Sequence, residues 1–338
     1  MLGAPEDAER ATTAMRTRLA AAAIATALIA PAHIPTAHAA DEYPTRPVRI
    51  IVPFEPGGIN ETGARIVATQ LSERLGKQFI IEFKSGAGGM VGTEYATHAQ
   101  PDGYTIAVVS VANAVHPALY PLTYDLRKAF EPVALLLTSP NTFAVHPSLP
   151  ANSVSEFIAL AKAKPGDIQY ASAGVGGSLH LGMELFRMQA GIELLHVPFR
   201  GAGPAAIDVV AGNTKAVMSS TSTLSPHVRS GKLKGLAVSS KTRLPSEPDV
   251  PTFIEAGFPQ YEASNWIGFM VPTGTPKFII EKLQKAVAEI LDLPDVQKQF
   301  ENRGAVAEKL SGAAFGAYID SEIAKWGKVV KDANVKAE

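Results

Sequence analysis

The residues with the most chemical potential are glycines and small hydroxyl side chains that follow apolar runs. Val48-Arg49-Ile50-Ile51-Val52-Pro53-Phe54 stops at Glu55-Pro56-Gly57-Gly58, and a helix pattern starts near Asn60, with Ile59 and Glu61 beside it. Such a turn offers free backbone N–H groups and the positive end of a helix dipole, which together cradle an anion. A plain strand-to-helix turn needs the same glycines, with positive φ expected at Gly58, and Asn60 is also a good N-cap. A second such place is Ala171-Ser172-Ala173-Gly174-Val175-Gly176-Gly177-Ser178-Leu179-His180. There Ser178 is the natural N-cap, Gly174 opens the turn, and His180 falls in the first helical turn.

Three more strand ends carry polar groups. Ser110 and Asn113, in the loop Ser110-Val111-Ala112-Asn113-Ala114-Val115-His116-Pro117, can bond a carboxylate or simply turn the chain. Ser220 and Thr221 end the run 216–221. Arg200, in Pro198-Phe199-Arg200-Gly201, either faces an anion or makes a surface ion pair. Gly86-Ala87-Gly88-Gly89-Met90-Val91-Gly92 looks like a dinucleotide fingerprint with one residue too many. It follows the second strand rather than the first, so a tight packing turn is the better reading.

What is missing narrows the chemistry. There is no cysteine, and the eight histidines are scattered without metal-ligand spacing, so no metal or other cofactor is expected. No G-x-S-x-G elbow or spaced carboxylate pair appears. Opposed glycine and serine cradles with no reactive group between them favour binding over catalysis. A net charge of -1 leaves no basic face for nucleic acid.

The elements that must position these loops alternate. Strands are expected at 48–54, 79–83, 105–110, 133–137, 142–145, 168–171, 194–197, 216–220, 233–239 and 266–271. Helices are expected at 60–75, 91–98, 154–163, 178–189, 204–211, 226–230, 252–256, 276–291, 295–303 and 313–330. The βαβα order of the first half implies a parallel sheet with helices on both faces, and a second α/β unit follows it. Ligands of such sheets sit at the carboxyl ends of strands. Breaks at Ser139-Pro140 and over 245–259 divide the chain into a first lobe of 43–140 plus about 255–338 and a second of 141–254.

Met15-Arg16-Thr17-Arg18, the apolar run 19–32 and Ala37-His38-Ala39 have the order of a cleavable signal peptide covering 1–39. The run is too short for a membrane span. Met15 is an alternative start. The protein is expected in the periplasm, as a monomer.

Taken in order, several stretches resemble one family. They are Tyr43-Pro44-Thr45-Arg46-Pro47-Val48-Arg49, Val52-Pro53-Phe54-Glu55-Pro56-Gly57-Gly58, Gly86-Ala87-Gly88-Gly89, Pro101-Asp102-Gly103-Tyr104-Thr105 and Tyr170-Ala171-Ser172-Ala173-Gly174. Further on come His196-Val197-Pro198-Phe199-Arg200-Gly201, Ser230-Gly231-Lys232-Leu233-Lys234-Gly235-Leu236-Ala237-Val238, Pro248-Asp249-Val250-Pro251-Thr252 and Ala324-Lys325-Trp326-Gly327. The chain resembles the Bug family of periplasmic solute-binding receptors, which serve tripartite tricarboxylate transporters.

The resemblance implies a two-lobe, type II-like Venus flytrap with a small carboxylate in the interlobe cleft and transporter membrane subunits as partners. It agrees with the two glycine cradles, whose helix N-termini put Gly57, Gly58, Ile59, Asn60 and Glu61 of one lobe and Gly174, Ser178 and His180 of the other at the ligand. Ser110, Asn113, Ser220 and Thr221 then select its distal end. The family often has Thr-Asp at Asn60-Glu61, proline at Glu55, Asn at His116 and Phe-Asp-Asn after Met218. These departures lie near the expected pocket, so the resemblance does not carry over which carboxylate is bound. If His116 faces the cleft, an ordinary pKa near 6.5 would let it hold a second acid group at mildly acidic pH. A receptor that signals instead of feeding a transporter, and an enzyme acting on small acids, are the alternative readings.

Overall fold

Runs of β-branched and apolar residues set the frame. The computed structural model describes residues 42–336, so the expected signal peptide over 1–39 lies outside the described residues. Strands β1 (Val48–Val52), β2 (Phe79–Phe83) and β3 (Thr105–Ser110) come first in the chain, joined by helix α1 (Ile59–Leu75) and by α2 (Met90–Thr97). Helix α3 (Val111–Leu119) and the short α4 (Leu126–Ala129) lead into β4 (Phe130–Ser139).

Pro140 alone separates β4 from β5 (Asn141–Val145). Then follow α5 (Val154–Ala163), β6 (Gln169–Ser172), α6 (Ser178–Ala190), β7 (Leu195–Pro198), α7 (Ala202–Val210), β8 (Ala216–Ser220), α8 (Thr221–Arg229) and β9 (Lys234–Val238). The chain returns in β10 (Asn265–Pro272), α9 (Lys277–Leu291), α10 (Pro294–Glu301), β11 (Val306–Ala307) and α11 (Gly312–Asp332).

Two mixed sheets result, where a parallel one was expected in the first half. The first has the order β11-β4-β10-β3-β1-β2 and the second β7-β6-β8-β5-β9. β1 is parallel to β2 and β3, but β10 runs antiparallel to both its neighbours, β3 and β4. The reason is non-local. The returning chain enters beside the end of β4, with Asn265 opposite Ser139, and can only run back along it. In the second sheet β6 is parallel to β7 and β8, and β5 is antiparallel to β8 and β9.

The two segments that pass between the sheets are tied together. Ser239 N–H donates to Asn141 O at 2.8 Å, and Asn141 N–H donates to Ser239 Oγ at 2.8 Å. Ser239 Oγ also lies 3.0 Å from Ser264 Oγ.

The expected short helix at 252–256 is a run of turns. It packs on the second sheet: Phe253 N–H donates to Val238 O at 3.0 Å, and Phe253 and Phe258 meet Phe186 of α6 edge-on. Helix α11 packs across α3 and α6, and Glu322 on it takes the indole N–H groups of both Trp266 and Trp326. Among the described residues no helix is long and apolar enough to cross a membrane.

Candidate functional site

The first cradle is built at the end of β1. Gly57 has φ +91°, a left-handed conformation that favours glycine, whereas Gly58 has an ordinary φ of −82°. The positive φ expected at Gly58 therefore belongs to Gly57. Gly58 is also the N-cap of α1, not Asn60, which sits one turn position inside the helix. The extra residue of helix follows from Ile59 packing on the core of the first sheet. Gly57 N–H donates to Glu61 Oε2 at 2.7 Å, and Arg65 Nε and Nη2 reach Glu61 Oε1 at 2.9 and 2.7 Å. The Gly57 N–H, then Arg65, hold the Glu61 carboxyl below the usual glutamate range. A carboxylate of the protein thus stands on the donor expected to meet a ligand.

The second glycine loop locks onto the first. A Cβ on Gly89 would come 2.8 Å from the Phe54 ring, so the loop can sit this close only as glycine. A Cβ on Gly88 would lie 3.5 Å from His116 Nε2. His116 belongs to α3, because the stretch expected to be a loop, Ser110 to Pro117, is largely helical. The signal is local: Asn113 Oδ1 accepts the Ser110 N–H at 2.9 Å, and Asn113 Nδ2 donates to Thr93 Oγ1 at 2.8 Å. Asn113 is buried and spends its amide inside the protein.

His116 is 6% exposed and its Nδ1 has no hydrogen-bond partner. Burial pushes its pKa down to about 4. The neutral imidazole replaces the mildly acidic anion holder that an ordinary pKa would have made.

The second cradle has the same design. The N-cap of α6 is Gly177, and Ser178 is the first helical residue with no capping bond, which corrects its assignment as the cap. Gly176 N–H donates to His180 Nδ1 at 3.0 Å, so that nitrogen is an acceptor and the ring is neutral. Burial lowers the His180 pKa in the same sense. The His180 ring stacks on His196 at 4.0 Å, and His196 stacks on Tyr170 at 4.8 Å. Ser172 Oγ lies 2.6 Å from His196 Nε2 and also bonds Gly174, which ties the loop to β7.

Reading by loops missed Ser172, His196 and Tyr170. Alternation along β6 was the available signal: Tyr170 and Ser172 share one face, and Tyr170 is in register with His196.

The remaining expected residues fall around this centre. Ser220 Oγ lies 2.7 Å from Thr223 Oγ1, and Thr221 Oγ1 donates to Pro140 O at 3.1 Å. Arg200 is exposed. The loop before α6 comes close to the end of α3, where a Cβ on Gly176 would lie 3.0 Å from Leu119 Cδ1. Phe54 with Gly89, Gly88 with His116, and Leu119 with Gly176 thus form a line of close approaches from the first cradle to the second.

Two α/β bodies joined by paired crossings, with helix N-termini at facing strand ends, define a two-lobe solute-binding protein of the type II-like class. The chain belongs to the tripartite tricarboxylate transporter family receptors, whose sequence profile matches residues 63–335. Protein BugT of Bordetella pertussis is 34% identical over 311 residues, covering 91% of this chain and 95% of BugT. R. palustris Rpa4515, solved with adipate, is 32% identical with a TM-score of 0.73 and covers 87% of this chain and 99% of its own. MatC from Rhodopseudomonas palustris, solved with bound malate, is 33% identical with a TM-score of 0.69 and covers 85% and 100%. The family is one of periplasmic substrate-binding receptors.

Proposed function

We propose that this chain captures a small organic carboxylate between its two sheets and delivers it to the membrane subunits of a tripartite tricarboxylate transporter. The observation that carries the reading is the pair of backbone donors, Gly57 N–H and Gly176 N–H, each at the mouth of a helix and each answered by an acceptor of the protein. A ligand carboxylate offers the same acceptor chemistry with a full charge. Adipate in one relative and malate in another support an acid as the ligand.

Gly57, Gly58, Ile59, Asn60 and Glu61 form the first wall of the site, and Gly174, Ser178 and His180 the second. Ser110, Asn113, Ser220 and Thr221 shape its far end. The lobes exchange chain at 139–141 and 239–264. The protein acts as a monomeric binder without catalysis, after export and removal of residues 1–39.

A thermal-shift screen of residues 40–338 against mono-, di- and tricarboxylates tests the reading. An acid present at 100 times its Kd should add about 2.7 kcal/mol to stability. A panel in which no acid moves the transition removes the proposal. Turnover of any acid that binds would replace the receptor by an enzyme.

A further inference from the structure

Glu247 follows β9 in the proline-rich stretch and is 3% exposed, a rare burial for a carboxyl group. Its Oε2 lies 3.0 Å from Thr142 Oγ1 on β5. Thr142 Oγ1 lies 3.0 Å from Thr221 Oγ1, at the start of α8, and Thr221 Oγ1 lies 3.1 Å from the Pro140 carbonyl oxygen. Three hydrogen bonds in series need three protons. The carbonyl brings none and the two hydroxyls bring one each.

With Glu247 ionised, Thr142 would donate to the carboxylate, and the one Thr221 hydroxyl proton would have to serve either Thr142 Oγ1 or the Pro140 carbonyl, which also accepts the Thr221 N–H at 3.0 Å. One oxygen–oxygen contact of 3.0 or 3.1 Å would then be left lone pair to lone pair. With a proton on Glu247 Oε2, every contact has its donor: Glu247 to Thr142, Thr142 to Thr221, and Thr221 to Pro140. Glu247 Oε1 is buried with no hydrogen-bond partner. A neutral carbonyl oxygen tolerates that far better than half of a carboxylate does.

We propose that Glu247 carries its proton in this conformation and is a positioning residue, holding Thr221 and the Pro140 crossing in place through Thr142. The groups around it fit. Burial raises the Glu247 pKa and outweighs the groups that favour the ionised form, which are the Thr142 hydroxyl, then the Ser225 hydroxyl and the charge of Arg229 on α8. Lys234 on β9 spends its ammonium on Leu149 O and Asn152 Oδ1. Asp249 is the acid nearest in sequence, and it lines, with Glu247, Arg229 and Lys234, an open cavity of about 710 Å³. Through that cavity, ionisation of Glu247 would break the chain of protons and loosen Thr221 and the crossing. The consequence for capture, weaker binding as Glu247 ionises, rests on the cleft being the carboxylate site.

Carbon-detected NMR of the glutamate carboxyl groups tests the protonation directly. Glu247→Gln removes one line and so identifies it, and Thr142→Val picks out the same line by shifting it should the first variant not fold. The Glu247 line is expected to titrate at higher pH than the exposed glutamates of the same spectrum. Urea unfolding across pH supplies the second reading. The wild type should lose stability relative to Glu247→Gln as pH rises through the Glu247 midpoint, since the folded chain holds a proton that the unfolded chain has released. A Glu247 line that titrates with the exposed glutamates, or unfolding profiles that stay parallel, overturns the proposal. Neither measurement uses a ligand, so a failure of the carboxylate reading shows separately, in the thermal-shift screen.

Discussion

Gly57 donates its N–H to the carboxylate of Glu61, four residues on, at 2.7 Å. Gly176 and His180 repeat the arrangement at the same spacing on the other side. Each cradle is therefore closed by an acceptor from the first turn of the helix it opens. On the proposed reading, an acid reaching either cradle would have to exchange with a residue already in place.

That exchange sets the sign of a Glu61 variant. Glu61→Ala frees the Gly57 N–H and the Arg65 guanidinium and removes a like charge. An acid found by the screen should bind about tenfold tighter, the size expected when one charge-assisted hydrogen bond becomes available. Titration calorimetry reads this. Weaker binding would mean that Glu61 touches the ligand itself.

The two glycines of the first turn should behave differently. Gly57→Ala forces a Cβ residue to φ +91° and should cost about 1–2 kcal/mol in urea unfolding. Gly58→Ala has an ordinary φ, and its Cβ would meet only Glu55 O at 4.0 Å, so its cost should be confined to a poorer N-cap, about 0.5 kcal/mol. Equal losses at the two positions would show that the turn is held by something other than backbone conformation.

His116 gives stability an acid limb. The unfolded chain takes up a proton near pH 6.5 that the folded chain refuses until about pH 4. Stability from this group is therefore whole above pH 6.5 and falls as pH drops toward 4, by about 3 kcal/mol at that point. His116→Asn should flatten this part of the urea-unfolding profile. A variant whose slope between pH 6.5 and 4 equals the wild type's would place the proton uptake elsewhere.

Glu322 holds two tryptophans at once. Its Oε2 accepts Trp266 Nε1 at 2.8 Å and Trp326 Nε1 at 2.9 Å, and Lys325 pairs with its Oε1. Glu322→Ala leaves two buried indole donors without partners and should cost about 3–5 kcal/mol. Chemical unfolding followed by tryptophan fluorescence measures it. A loss under about 1 kcal/mol would mean that water or the backbone replaces the carboxylate.

Much of the frame was legible because the pattern is local. The runs 79–83, 105–110, 154–163 and 216–220 become β2, β3, α5 and β8 with no change of bounds. Helix α3 was not, because Pro117 and the polar pair Ser110 and Asn113 read as a turn, while the helix is fixed by Asn113 reaching back to Ser110 and across to Thr93. Strand direction was also out of reach. Whether β10 runs with or against β3 depends on where the chain comes back, and no periodicity records that. The two cradles were found as glycine turns, but their caps and their internal acceptors, Glu61 and His180, depend on side-chain direction, which spacing leaves open.

The position of β10 has a kinetic consequence. It lies between β3 and β4, yet it is made only after every strand of the second sheet. Until it arrives, β3 and β4 each present an open edge, and the long loop that must close gives the first sheet a high contact order. The second sheet, contiguous in the chain, can assemble earlier. Refolding should accordingly show the second sheet protected from hydrogen exchange before the first, with β3 and β4 the segments most exposed to mispairing on the way.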